Sequence, residues 1–269
     1  MTRASVAAFA AAAAIGLAGA TAWAAGAGSG LATHRAVYTM SLATTRPGSG
    51  IVGANGTMSY EFADACDGWI VENRIAITYS YSEGGQADTT TDFLTWEAKD
   101  GLTYRFRLRN SRDGQVTDEI EGTAELKGKG QGGVARYTRP DTANISLPKG
   151  TLFPTEHTLH LMDAARTGAK TYLRVVFDGS DADGPYDVNA LIGRSHLQPA
   201  AMSSPLLDSQ SWPMRLAFFP AAGKDPTPDF EMALDYHGNG VAQNITQSFK
   251  DFSLTGKLEH IEAVPRRRC

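Results

Sequence analysis

Apolar side chains recur at every second position through most of this chain, the period of strands buried on one face. Tyr38, Met40 and Leu42 skip by two, as do Met58, Tyr60 and Phe62 after residues 53–56, a glycine-flanked stretch that reads as a flexible turn. The clearest run is Trp69, Val71, Asn73, Ile75, Ile77, Tyr79 and Tyr81, interleaved with Glu72, Arg74 and Thr78. Residues 93–96, then Asp100-Gly101 and Tyr104, Phe106 and Leu108 predict a hairpin with Asp-Gly as its turn, leaving Arg105, Arg107 and Arg109 on the other face. A second Asp-Gly, Asp113-Gly114, leads into a strand over 116–126. Further strands are predicted where Leu173, Val175 and Phe177 alternate with Tyr172, Arg174 and Val176, and over 187–192, 212–219, 230–236 and 241–249. Phe252, Leu254 and Leu258 complete 13 or 14 short strands at regular spacing, which fits one antiparallel sheet curled on itself.

The exception lies within 147–168, the one segment that reads as a helix. Pro154 suits a first helical turn, the Thr155 hydroxyl can accept an orphan backbone N–H, and Gly168 is a left-handed stop. At 100° per residue, Thr158, Leu161, Met162 and Ala165 share one face and Glu156, His160, Asp163 and Arg166 the opposite one. Leu159 falls on the polar side and His157 at the edge of the apolar side, so this helix should be more buried than a peripheral one. A sheet wrapped around it accounts for both patterns.

The ends of the chain change the compartment. Arg3, an apolar run over 6–17 and Ala22-Trp23-Ala24 make residues 1–24 a secretory signal with cleavage expected after Ala24. The apolar run is too short for a retained anchor. Residues 25–33, rich in Gly and Ala, read as a flexible leader, and 34–269 as a single domain. Losing the signal and its Arg3 moves the formal charge from −4 to about −5, which argues against a nucleic-acid partner. Arg266, Arg267 and Arg268 read as a solvated basic tail. Cys66 and Cys269 are the only cysteines; in an oxidising compartment an even count favours a bridge, against free or intermolecular thiols. No C-x-x-C supports redox catalysis.

Candidate chemistry is sparse. His157 and His160, one turn apart, with Asp163 a turn further, could share a metal, yet no H-E-x-x-H or distant ligand accompanies them; packing is the better reading and no metal or cofactor is expected. Asp178, Asp181 and Asp183 lie in a loop that fails the EF-hand pattern, with Gly179 and Ala190 where acids are required. The same acids could supply paired carboxylates for glycoside hydrolysis, but nothing selects two of them. Residues 128–133 satisfy G-x-G-x-x-G between strands rather than before a helix, so they read as a turn. No catalytic residue is assigned.

Several stretches together resemble the envelope integrity protein B (EipB) family: His34-Arg35-Ala36-Val37-Tyr38, Asp64-Ala65-Cys66-Asp67-Gly68-Trp69, the run from Leu147 to Thr158, Val176 to Asp181, Phe218-Phe219-Pro220 and the terminal Cys269. The resemblance implies a monomeric periplasmic β-spiral of about 14 strands around one central helix, similar to lipoprotein carriers of the LolA and LolB kind, with Cys66 bridged to Cys269. It also implies a role in envelope maintenance under stress, without known catalytic residues. The expectation is a non-enzymatic periplasmic protein that binds a lipid, lipoprotein or peptide in a cavity beside the helix, through residues not yet assigned. A periplasmic hydrolase using Asp178, Asp181, Asp183 or His157 is the alternative, and a pure interaction module for other envelope proteins a third.

Overall fold

The computed structural model describes residues 30–197, 202–223, 225–266 and 269. The expected signal, 1–24, and most of the leader lie outside these residues. The chain first lays down eight strands: β1 (His34–Thr45), β2 (Ile51–Asp64), β3 (Gly68–Tyr81), β4 (Gln86–Ala98), β5 (Thr103–Arg112), β6 (Gln115–Leu126), β7 (Gly133–Arg139) and β8 (Ala143–Leu147). Helix α1 (Pro154–Arg166) follows, then β9 (Thr171–Val176), β10 (Tyr186–Ile192), β11 (Ser211–Pro220), β12 (Phe230–His237), β13 (Ala242–Ser248) and β14 (Phe252–Ala263).

All fourteen strands form one sheet in the order β8-β7-β6-β5-β4-β3-β2-β1-β14-β13-β12-β11-β10-β9. Every strand therefore pairs with its chain neighbour, apart from the long-range β1–β14 ladder, in which His34 faces Ala263 and Thr45 faces Phe252. That ladder joins an eight-strand meander to a six-strand meander. The two edge strands, β8 and β9, are consecutive in the chain, and α1 connects them. Between the edges the link is slight: Leu152 donates its N–H to Val175 and accepts from the Phe177 N–H, at 2.9 and 3.0 Å. The sheet is an open spiral rather than a closed barrel.

Local chemistry sets the turns. Asp113 and Gly114 both take positive φ, 51° and 76°, as a type I′ hairpin turn requires. Gly168, φ 83°, follows the last helical turn as the sequence predicts. Residues 53–56 are not a turn: they lie inside β2 and pair with β3, Asn55 opposite Thr78 and Gly56 opposite Ile77. The real β1–β2 turn is at Arg46 to Gly50, where Ser49 N–H bonds Arg46 C=O.

β9 has the opposite phase to that read from its apolar residues. Arg174 stands opposite Val188, and Tyr172 opposite Ala190. Val188 and Ala190 are fully buried, so Tyr172, Arg174 and Val176 share the inner face while Leu173 is 54% exposed. An edge strand tolerates this because its neighbours, not its own pattern, fix the register.

The core has three parts, two of them large. The larger gathers Tyr38, Met40 and Met58 with Val188, Leu216, Leu254 and the helix residues Leu161, Met162 and Ala165. The smaller lies inside β5–β8, where Tyr104, Phe106, Tyr137, Phe153 and Phe177 stack or meet edge-on at 5.0 to 6.5 Å. The acidic turn plugs this second part: Tyr104 Oη donates to Asp178 O and Tyr137 Oη to Asp181 O, both at 2.9 Å. Gly179 there has φ 69° and its missing Cβ would overlap the Phe106 ring, so only glycine fits. Leu159, apparently on the polar face of the helix, is covered by a third cluster of Leu31, Phe62 and Trp69.

That cluster also corrects the domain boundary. Leu31 and Thr33 are buried, and Thr33 accepts from the Val264 N–H at 3.0 Å. Residues 31–33 therefore belong to the folded domain rather than to a flexible leader. Of the basic tail, Arg266 reaches the Leu31 carbonyl at 3.4 Å; Arg267 and Arg268 lie outside the described residues.

Cys66, in the β2–β3 turn, lies at disulfide distance from Cys269, with Cα atoms 5.8 Å apart and a sequence separation of 203. A closed loop of this length removes a large part of the unfolded chain's freedom. Replacing Cys269 by Ser should lower unfolding free energy by about 2–5 kcal/mol under oxidising conditions, and reductant should abolish the difference from the parent; equal stability in oxidant would show that the bond contributes nothing. Gly179→Ala should cost at least about 2 kcal/mol through positive φ and overpacking, read in the same denaturation experiment.

Candidate functional site: the interior of the spiral

The first turn of α1 begins deep inside the fold, where its orphan N–H groups have no water to meet. Thr155 does not cap it, and Phe153, at the cap position, offers no side-chain oxygen. The acceptor comes from across the chain. Glu97, at the inner end of β4, takes the Thr155 N–H on one carboxylate oxygen at 2.7 Å and the Glu156 N–H on the other at 2.8 Å. Glu97 is 2% exposed, and burial pushes its carboxyl up to about 7 even though both N–H donors favour the ionised form. A glutamate in phase with the inward Phe93 and Thr95 was the signal available in the sequence, since a charge at such a position needs a partner.

Three elements converge along the helix. His157 is buried, its ring 5.6 Å from Tyr172 on β9. Burial drives its imidazole down to about 4, with His160 and Arg174 adding repulsion. His157 Nε2 and the Tyr172 hydroxyl are both buried without a hydrogen-bond partner among the described residues. Arg174 lies over the Tyr172 ring at 4.6 Å and donates to Leu173 O at 2.7 Å.

A cavity of about 140 Å³ opens farther along the interior, between β1–β3 on one side and β12–β13 on the other. Met58, Met232, Leu234 and Ile245 form its apolar wall, and His34, Tyr60 and Asn73 a polar one. Tyr236 also lines it and lies within hydrogen-bonding reach of Thr158 on the helix, so the cavity borders α1. The Asn73 Oδ1 is buried and unpartnered. No Lys, Arg, Asp or Glu lines the space.

The candidate catalytic and metal residues are not assembled. His160 points outward, 3.4 Å from Glu156, and Asp163 is paired with Arg166 at 2.6 Å, while His157 faces inward. Asp178 accepts from Ser180 N and Oγ at 2.9 and 2.8 Å, and Asp181 from Asp183 N at 2.8 Å and from Tyr186 Oη. Their lone pairs are used to lock the turn that plugs the aromatic core. Residues 128–133 form the β6–β7 turn, closed by Gln131 N–H on Gly128 O at 2.9 Å.

An open antiparallel spiral around one helix, with a mixed apolar and polar interior, defines a single-domain β-spiral protein. The chain belongs to the EipB-like family, whose model matches residues 25–265. It is 31% identical over 239 residues to the cell envelope integrity protein EipB of Brucella abortus (strain 2308), covering 86% of this chain and 84% of that one. A crystal structure from Brucella abortus, described as a beta-barrel-like protein of domain of unknown function DUF1849, superposes with a TM-score of 0.82 at 30% identity, covering 87% of this chain and 99% of the other.

Glu97 and His157 tie stability to pH in opposite senses. The folded state holds the Glu97 proton more tightly than the unfolded chain does. Its contribution is full below about pH 4.5 and is lost as pH rises through 7. The folded state holds the His157 proton less tightly, so stability is lost as pH falls from 6.5 towards 4. Glu97→Gln should leave unfolding free energy rising between pH 4 and 6.5, and His157→Gln should leave it falling between pH 4.5 and 7. Each change is on the order of 3 kcal/mol, measured by denaturant titration at stepped pH. Parallel profiles for parent and both variants would refute the assignment.

Proposed function

We propose that this protein is a non-catalytic periplasmic binding protein, acting as a monomer, that supports cell-envelope integrity by holding the apolar part of a lipid, lipoprotein or peptide inside the spiral. The observation that carries the reading is the interior cavity beside α1, apolar on one wall and lined on the other by polar side chains, among them Asn73, whose buried Oδ1 has no partner among the described residues. Proteins bury polar groups with partners, so an exception beside open volume favours an occupant. The export signal read at residues 1–24 supports the compartment, and the name of the Brucella relative supports the envelope role. The engagement of Asp178 and Asp181 in turn-locking hydrogen bonds favours binding over hydrolysis.

Native mass spectrometry of protein extracted from its own cells without detergent should detect an apolar adduct that denaturation releases. Leu234→Trp, which fills the cavity, should reduce occupancy several-fold while circular dichroism stays unchanged. Repeated absence of any adduct, or undiminished occupancy in the filled variant, would overturn the reading.

A further inference from the structure

The polar wall of the interior cavity is built from three adjacent strands. Ala36 on β1 pairs with Tyr60 on β2, and Tyr60 pairs with Asn73 on β3, while His34 lies two residues before Ala36 and so on the same face. The His34 and Tyr60 rings stand 5.5 Å apart. These groups are held in place by their strands, and His34 Nδ1 alone among their polar atoms has a hydrogen-bond partner among the described residues.

Each atom has a definite role. His34 Nδ1 lies 2.7 Å from the Ala32 carbonyl. A carbonyl only accepts, so Nδ1 carries the proton. The ring is 3% exposed and burial lowers its pKa, which keeps it neutral, so Nε2 is a bare lone pair. Among the described residues no donor meets Nε2 or the Tyr60 hydroxyl, and Asn73 Oδ1 is unpartnered. The wall thus presents two acceptors, His34 Nε2 and Asn73 Oδ1, beside the Tyr60 hydroxyl, which can also donate, and no cationic side chain lines the cavity. A carboxylate entering it would be desolvated without a counter-charge, which is costly. A hydroxyl would supply the missing donor. The volume of about 140 Å³ equals roughly five water volumes, room for a chain of about five heavy atoms.

We propose that the cavity selects a neutral alkyl group bearing a hydroxyl, its hydrogen donated to His34 Nε2 and its chain against Met58, Met232, Leu234 and Ile245. This rests on the ligand-binding reading above and specifies the chemistry of the buried part. Water alone is the competing occupant.

The test uses the exported full-length domain with ¹³C-methyl methionine and three small ligands: 1-butanol, methyl propyl ether and butanoate. The alcohol and the ether have the same atom count, but only the alcohol donates. Butanol should shift the Met58 and Met232 methyls saturably, leave the helix residue Met162 less affected, and bind at least five-fold more tightly than the ether or butanoate. His34→Phe, which removes the acceptor, should erase the preference, while Tyr60→Phe should weaken alcohol and ether alike and leave their ratio unchanged; both are read by shift titration, and the ratio in Tyr60→Phe keeps the question answerable should the His34 variant misfold. Equal binding of alcohol and ether, or tighter butanoate, would overturn the donor preference while leaving the cavity as a binding site. No shift with any of the three would overturn the binding reading itself and leave water as the occupant.

Discussion

A helix enclosed by a sheet has a problem that a surface helix lacks: its first-turn N–H groups cannot turn to water. Glu97 solves it with both carboxylate oxygens. Because the acceptor stands on β4 and the donors on α1, 58 and 59 residues later, the same contact fixes where the helix enters the spiral. Loss of such a buried acceptor leaves two desolvated donors, worth a few kcal/mol. The position of α1 then determines what faces the interior: Leu161, Met162 and Ala165 fill the main core, and Thr158 reaches towards Tyr236 at the cavity wall. The cap, the helix and the cavity form one chain of dependence.

The same burial has an electrostatic consequence. Glu97 and His157 sit near opposite ends of the helix's first turn, one pushed up towards neutrality and the other down. Their contributions slope oppositely across pH 4.5 to 6.5 and largely cancel there. Such opposition flattens the response of stability to pH without any surface salt bridge, a weak source of stability. Neither residue needs a catalytic role to be shifted this far.

Architecture was legible in the sequence because alternation survives wherever a strand has one wet face. β3 declares itself through Trp69 to Tyr81, and the Asp-Gly pairs mark two hairpins. Legibility failed where neighbours override local pattern. At β9, Leu173 and Val175 look inward by composition but face out, since β10 fixes the register. At residues 53–56, the glycines look like a turn but lie where β2 passes close to the Ala76 backbone. The short strands β7 and β8, at and beside one edge of the sheet, carry little period at all. The site was harder still. His157 and His160 attract notice by spacing, but spacing cannot tell an inward ring from an outward one. His34, Tyr60 and Asn73 lie up to 39 residues apart and mean nothing together until the register aligns them.

The choice of an open spiral over a closed barrel bears on how the interior could be reached. In a closed barrel every strand edge is paired, so widening the lumen breaks ladder hydrogen bonds around the ring. Here no ladder joins the edges β8 and β9 among the described residues; they are held by the two backbone hydrogen bonds of Leu152 to Val175 and Phe177 and by the aromatic plug, where Phe177, Asp178 and Asp181 meet Tyr104 and Tyr137. Separating them would break that plug rather than a ladder, and would leave the β1–β14 ladder on the far side paired. Arg174, bonded to the Leu173 carbonyl, occupies one acceptor on the free edge of β9 and so discourages pairing with another chain. A cavity of about 140 Å³ is smaller than the several hundred typical of ligand pockets. The binding function proposed above therefore requires that only the tip of a longer amphiphile be buried there, between β1–β3 and β12–β13, beside the ladder that holds the two meanders together.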